Sequence, residues 1–237
     1  MAKKQTLKRN YTFSDAKLCA VARQVANMVE GDLAKFAAYG VQDTDVENLR
    51  QQEDDFINSP ADNEGMGRVV IATENKDALA EKVRMGIRTV RTIAGNKWGQ
   101  KDARYRSYAF DGMSGLPDEK LHRLGKRVIK LATQQLPDLT SEGLTAAFLT
   151  NLQNLNNDFD NAIDLQTEAI IERDILTQQR IEDGNSLFKE MMSLCKIGQD
   201  IFASTNFAKF KAFTIYHKSK GKPGRKKKEK VPTPPSA

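Results

Sequence analysis

The chain is short of the residues that carry most chemistry. It has two histidines, His122 and His217, and two cysteines, Cys19 and Cys195, in 237 residues. Carboxylate di-metal bundles need Glu-x-x-His motifs on facing helices, and neither histidine follows a glutamate at that spacing. No metal and no cofactor is therefore expected. His122, beside Lys120 and Arg123, reads as a surface residue of a basic helix. The stretch "GNKWGQK" has two glycines and a lysine, but not the spacing or final Ser/Thr of a phosphate-binding loop. A Ser/His/Asp or Cys/His arrangement is defined in space rather than in order. With both histidines outside apolar helix stripes, no catalytic residue is nominated, and a non-enzymatic protein is expected. Both cysteines sit on apolar stripes and read as buried reduced thiols packing as small hydrophobes. A disulfide between the first and last helices would require an oxidising compartment.

Long hydrophobic runs are missing too. No apolar stretch reaches the roughly 18 residues of a membrane span. The basic start "MAKKQTLKRN" leads into no apolar segment of the kind a secretory signal carries, so the expected compartment is the cytoplasm. Nothing indicates a small-molecule ligand. Proline and glycine number 7 and 15 and cluster in a few stretches, which leaves long intervals for helices. No fixed repeat appears in the solenoid range of about 20–50 residues. Hydrophobic residues at 39% allow a core, and charged residues at 29% suit slender helices.

What is present is amphipathic periodicity. Ser14 can cap a helix whose stripe is Leu18, Val21, Val25, Met28 and Phe36, with Gly40 as its stop. Thr44 and Glu47 have capping-box spacing ahead of Val46, Leu49 and Phe56. Pro60, Gly65 and Gly67 break the pattern. A third helix is expected over Thr73–Ala94, with Leu79, Val83, Ile87 and Val90 in line. The glycine-dotted, aromatic segment from Gly95 to Pro117 reads as a long connection. Pro117, Asp118 and Glu119 open a further helix along Leu121, Leu124 and Val128. From Thr140 or Ser141 the stripe runs through Leu152, Phe159 and Ile170 to Leu194 and Phe202. "DGN" at Asp183–Asn185 is its expected interruption, giving two helices that turn back on each other. Phe213, Thr214 and Ile215 alternate like a short extended segment that closes the end of the bundle. The fold class is all-α: an antiparallel bundle of four or more long amphipathic helices over residues 13–217, with a basic flexible N-terminus at 1–12 and a disordered tail at 218–237.

Charge is zoned along the chain. The formal net charge is +6, yet residues 10–217 sum to −5, so the two ends make an acidic body look basic. Within that body, residues 82–130 carry +9 between two acidic segments. Arg84, Arg88, Arg91, Lys97, Lys101, Arg104 and Arg106, interleaved with Trp98, Tyr105 and Tyr108, could bind nucleic acid by phosphate contact and base stacking. The favoured reading is that they face acidic helices of the same molecule, with the ridge Asp160, Asp164, Glu168 and Glu172 as partner, or are simply solvated. The tail "KSKGKPGRKKKEKVPTPPSA" supplies Lys218, Lys220, Lys222, Arg225, Lys226, Lys227, Lys228 and Lys230 as polyanion candidates with a steep expected salt dependence. "KPGRKKK" approaches an AT-hook but has Lys226 where that motif has proline.

The segment "NSLFKEMMSLCKIGQDIFASTNFAKFKAFTIY" resembles the closing segment of an uncharacterised group of bacterial helical-bundle proteins. The resemblance implies a bacterial cytoplasmic bundle and carries no functional residue. Two roles follow as expectations. One is an interaction or scaffold protein that binds a protein partner or itself through apolar stripes. The other is a nucleic-acid-associated protein that uses the tail and the basic middle.

Overall fold

The computed structural model describes residues 7–60 and 62–215, and every regular element in them is helical. In chain order the α-helices are α1 (Asp15–Gly31), a one-turn helix (Leu33–Phe36), α2 (Asp43–Asn58), α3 (Asp62–Trp98) and α4 (Ala103–Ser107). There follow α5 (Asp118–Gln134), a second one-turn helix (Leu136–Leu139), α6 (Ala146–Phe202) and α7 (Phe207–Ala212). Among the described residues, no helix is long and apolar enough to cross a membrane.

Local chemistry sets most of the boundaries. The Ser14 side chain accepts from Lys17 N and starts α1; Pro117 precedes α5, whose first turn holds Asp118 and Glu119. The remaining starts differ from expectation. Helix α2 begins at Asp43, one residue before Thr44, and its cap is half a capping box, in which Gln42 N donates to Asp45 Oδ2 at 2.8 Å. Helix α6 is started by Thr145, not Thr140 or Ser141, with Thr145 Oγ1 accepting from Phe148 N at 3.1 Å. Helix α3 starts well before Thr73, because Gly65 and Gly67 are tolerated inside it and the break is confined to the stretch around Ser59 and Pro60. A proline there has no N–H to donate to the preceding turn. Phe213, expected to open an extended segment with Thr214 and Ile215, instead ends the short helix Phe207–Ala212 in a helical conformation (φ −82°, ψ −3°) and lies in the core.

The largest correction concerns "DGN". Helix α6 runs unbroken through Asp183–Asn185 as one element of 57 residues. Gly184 lies against the Tyr11 hydroxyl and the Phe56 ring, where a Cβ would come within 2.4 Å and 3.2 Å. Asn185 takes hold of the chain start: Asn10 N donates to its Oδ1 at 2.7 Å and its Nδ2 donates to Lys8 O at 2.9 Å. The sequence of a turn is thus a docking place for residues 8–11, and Tyr11 is buried.

The chain divides into two compact units. A central unit contains Ser59–Glu182, and a terminal unit contains Lys8–Asn58 and the described residues from Asp183 to Ile215. Each has its own core. In the central unit Val83, Ile87 and Val90 of α3 pack with Leu121 and Val128 of α5 and Leu152 and Phe159 of α6. In the terminal unit Leu18 and Val25 of α1 pack with Leu49 and Phe56 of α2 and Leu187, Met191 and Cys195 of α6. Both cysteines are buried free thiols.

These two cores are built to one plan. Leu18, Val25, Leu49 and Phe56 are buried, and Leu121, Val128, Leu152 and Phe159, each 103 residues later, are the same residue types and equally buried. The turn between the paired helices also recurs. Gly40 (φ 83°) and Gly143 (φ 92°) both occupy the left-handed region, which costs glycine nothing. Each donates its N–H three residues back at 3.0 Å, to Ala37 O and to Thr140 O. The doubling extends further, since Phe110 and Phe213, again 103 apart, are both buried after a short helix capped by Asp102 or Asn206. The chain is therefore two copies of one helical unit, with a period too long for the solenoid range. The helix pair of the first copy (α1, α2) belongs to the terminal unit and its closing helix (α3) to the central one; in the second copy α5 and α6 as far as Glu182 belong to the central unit, and α6 from Asp183 belongs to the terminal one.

Candidate polyanion interface

Most of the candidate cations between Arg84 and Arg106 are engaged within the molecule. On α3, Arg88 Nη1 meets Glu81 at 2.8 Å and Arg84 lies 3.9 Å from the same carboxylate. Arg91 Nε donates to the Tyr105 hydroxyl at 3.2 Å. Lys97 Nζ donates to Ser141 Oγ at 2.8 Å. Arg104 bonds to Asp102, holding that carboxyl below its usual range, and lies over the Trp98 ring at 5.0 Å. Lys101 and Arg106 are exposed. The acidic ridge on α6 is not their counterpart: Glu172 pairs with Arg68, and Asp160 Oδ1 lies 3.5 Å from His122 Nε2. Nor do the tyrosines form a stacking surface. Tyr105 and Tyr108 are core residues, and Tyr108 stacks on Phe110 with ring centroids 4.9 Å apart. The tail candidates Lys218 to Lys230, and His217, lie outside the described residues.

A second set of cations, absent from the sequence-derived candidates, gathers on α5. Lys120, Arg123, Lys126, Arg127 and Lys130 are all exposed, and none lies within salt-bridge distance of a carboxylate among the described residues. Helix periodicity places them there. Leu121, Leu124, Gly125 and Val128 turn into the core, so the positions between them turn outward. The start of α5 is anchored by Lys76 of α3, whose Nζ reaches Asp118 Oδ2 at 2.5 Å and Asp77 at 3.3 Å. Burial works against the Lys76 ammonium, but the two carboxylates outweigh it and raise its pKa.

His122 is not on the surface as the sequence suggested. It is buried between α5 and α6, with Nδ1 3.1 Å from Asn156 O, and occupies the place of Cys19 in the first copy. Gly125 lies so close to Asn156 that a Cβ would sit 2.1 Å from its Oδ1.

No family model matches the chain, and neither a curated protein nor a solved structure shows significant similarity to it.

Proposed function

We propose that this protein is a non-enzymatic, nucleic-acid-associated helical-bundle protein. The observation that carries the reading is the α5 face, with five exposed cations and no carboxylate bridging any of them. Ordinary surface charges occur in mixed sign; here five cations stand against one exposed carboxylate, Glu119, an excess that concentrates positive potential where a polyanion can use it. The tail would add to the same attraction. The test is an electrophoretic shift with duplex DNA at low and moderate salt, using the full chain and a chain ending at His217. Binding at low salt that fades with salt is expected. If neither chain binds even at low salt, the reading fails.

A second reading, self-association as a scaffold, has its own support. Within the central unit, the first half of α3 runs antiparallel to α6, joined by Arg68–Glu172 and by Gln166 Nε2 donating to Thr73 Oγ1 at 2.8 Å. This pair leaves Met66, Val70, Ile71, Leu165, Ile171 and Ile175 exposed, Ile71 at 68% and Ile175 at 59%. Contiguous exposed apolar residues mark interaction surfaces. Light scattering across a concentration series would detect assembly, and a strict monomer at every concentration would rule it out.

A further inference from the structure

The duplicated architecture supplies an internal comparison that the sequence does not offer directly. Beside α1, in the first copy, lies a groove of about 430 Å³ lined by Arg23, Glu47, Arg50, Glu53 and Asp54. Its cations are neutralised: Arg23 Nη2 meets Glu53 Oε1 at 2.6 Å and Arg50 Nη2 meets Glu30 Oε2 at 2.5 Å. Glu53 raises the pKa of the Arg23 guanidinium still further. Beside α5, at the corresponding place in the second copy, lies a groove of about 410 Å³ lined by Lys126, Lys130, Thr133, Gln153, Asn156 and Asn157.

Position by position, the carboxylates are gone. Where the first copy has Glu30, Glu47, Glu53 and Asp54, the second has Thr133, Thr150, Asn156 and Asn157. In the same comparison Ala20, Gln24 and Asn27 correspond to Arg123, Arg127 and Lys130. The core residues beneath both grooves are retained, so packing does not demand the change. One scaffold thus carries a self-neutralised groove in one copy and, in the other, a cationic groove edged by the exposed amides of Gln153 and Asn157, which can donate hydrogen bonds.

We infer that the α5–α6 groove and the cation stripe beside it form a binding site for the sugar-phosphate backbone of duplex nucleic acid, read without base stacking. This rests on the nucleic-acid reading above. Residues 120–130 span about 15 Å of helix at 1.5 Å per residue. A duplex strand presents one phosphate per roughly 3.4 Å of axis, so about four or five phosphates face that length, close to the number of cations on α5. Single strands are held by exposed aromatic faces, and the tyrosines that could serve are buried in this unit. A membrane-surface helix inserts apolar side chains, and α5 contributes none of the exposed large hydrophobic residues.

The test uses the full chain and a fluorescein-labelled 30-base-pair DNA duplex, followed by anisotropy over a salt series. Two variants address the site. One is Lys126→Gln/Arg127→Gln/Lys130→Gln. The other, Thr133→Glu/Asn157→Asp, restores carboxylates found in the first copy; all five positions are exposed, so folding is not at stake. A control, Asn75→Asp/Thr167→Glu, adds the same charge as the second variant at exposed sites on α3 and α6. Both site variants should weaken duplex binding by about tenfold or more at low salt, and the triple variant should lower the salt slope by about 2.7; the control should change affinity by less than about threefold. If the unaltered protein binds no nucleic acid, the underlying reading falls. If it binds but the site variants match the control, the binding lies elsewhere, as in the tail, and this inference is overturned. Preference for a single strand of equal length, or for anionic lipid vesicles over duplex, overturns it as well.

Discussion

Replacing Gly198 by alanine sets two known effects against each other at one position. Gly198 lies inside α6 in the terminal unit, and a Cβ there would come 2.6 Å from Phe213 Cγ and 2.7 Å from both Cδ atoms. Carbon atoms in good contact sit roughly 3.5–4.0 Å apart, so the ring must retreat by about 1 Å. It has no room to do so. Phe213 is 1% exposed, stacks on Phe202 with centroids 5.9 Å apart, and meets Phe36 at 5.7 Å. Overpacking of this kind costs about 1–3 kcal/mol. Against it, alanine in a helix interior gains about 1 kcal/mol over glycine. The net expectation is a loss of about 1 kcal/mol. The control is Gly31→Ala at the end of α1 in the same unit, where nothing lies within 4 Å of the added methyl and only the helix term acts. Urea denaturation followed by far-ultraviolet circular dichroism should place Gly198→Ala below the unaltered protein and Gly31→Ala at or above it. In a Phe213→Leu background the loss at residue 198 should shrink, because the smaller side chain removes the clash. If Gly198→Ala stabilises as much as Gly31→Ala, the ring is not held where the packing argument requires, and the argument is refuted.

Asp32 accepts hydrogen bonds from Lys209 and Lys35, which hold its carboxyl below the usual range. A carboxylate with a depressed folded pKa stabilises the fold above about pH 4, and that contribution is lost as pH falls through the folded value. Asp32→Asn should therefore lower stability at pH 7 by about 1 kcal/mol, since the lysine partners are largely solvent-screened, and flatten the acid side of the stability–pH curve; an unchanged acid limb would count against it. Burial pushes the Cys195 thiol up to about 12, so Cys195 should resist a thiol-reactive dye at pH 8 in the native protein and react once urea is added, and rapid native labelling at this residue would contradict its placement. Burial likewise raises the Tyr108 phenol to about 12, with its hydroxyl donating to Gln135 Oε1 at 2.7 Å. Absorbance titration should show a late tyrosine that disappears in Tyr108→Phe, a change that should cost about 1 kcal/mol.

How far the candidate site could be read from the sequence depended on whether a partner was local. The excess of cations in residues 82–130 was plain from composition and already included Lys120, Arg123, Lys126, Arg127 and Lys130. The cations interleaved with aromatics carry the more specific sequence signal, because that pattern is the one that supports base stacking. Packing then buried Tyr105 and Tyr108 and bridged Arg88 and Arg104. Which cations keep an open face was decided by residues on another helix: Glu53 faces Arg23, whereas Asn156 stands in the corresponding place beside Lys126.

The all-helical class, the starts at Ser14 and Pro117, the left-handed conformation of Gly40 and the buried stripes of α1, α3 and α5 were determined by the sequence itself, although the helix expected to run from Ser14 to Gly40 ends at Gly31 and Gly40 closes a separate turn. Each depends on periodicity or capping within one or two turns. The tertiary structure alone decided that α6 continues through Asp183–Asn185, that Asn185 docks the chain around Lys8 and Asn10 in place of making a turn, and that one groove is neutral while its counterpart is cationic. The physical reason is common to all three. Gly184 is stable in a helix because Tyr11 and Phe56 fill the space beside it, Asn185 is held by Lys8 and Asn10, and Arg23 is quenched by Glu53. Those partners are distant in sequence, and no local preference of the chain encodes which of them will meet.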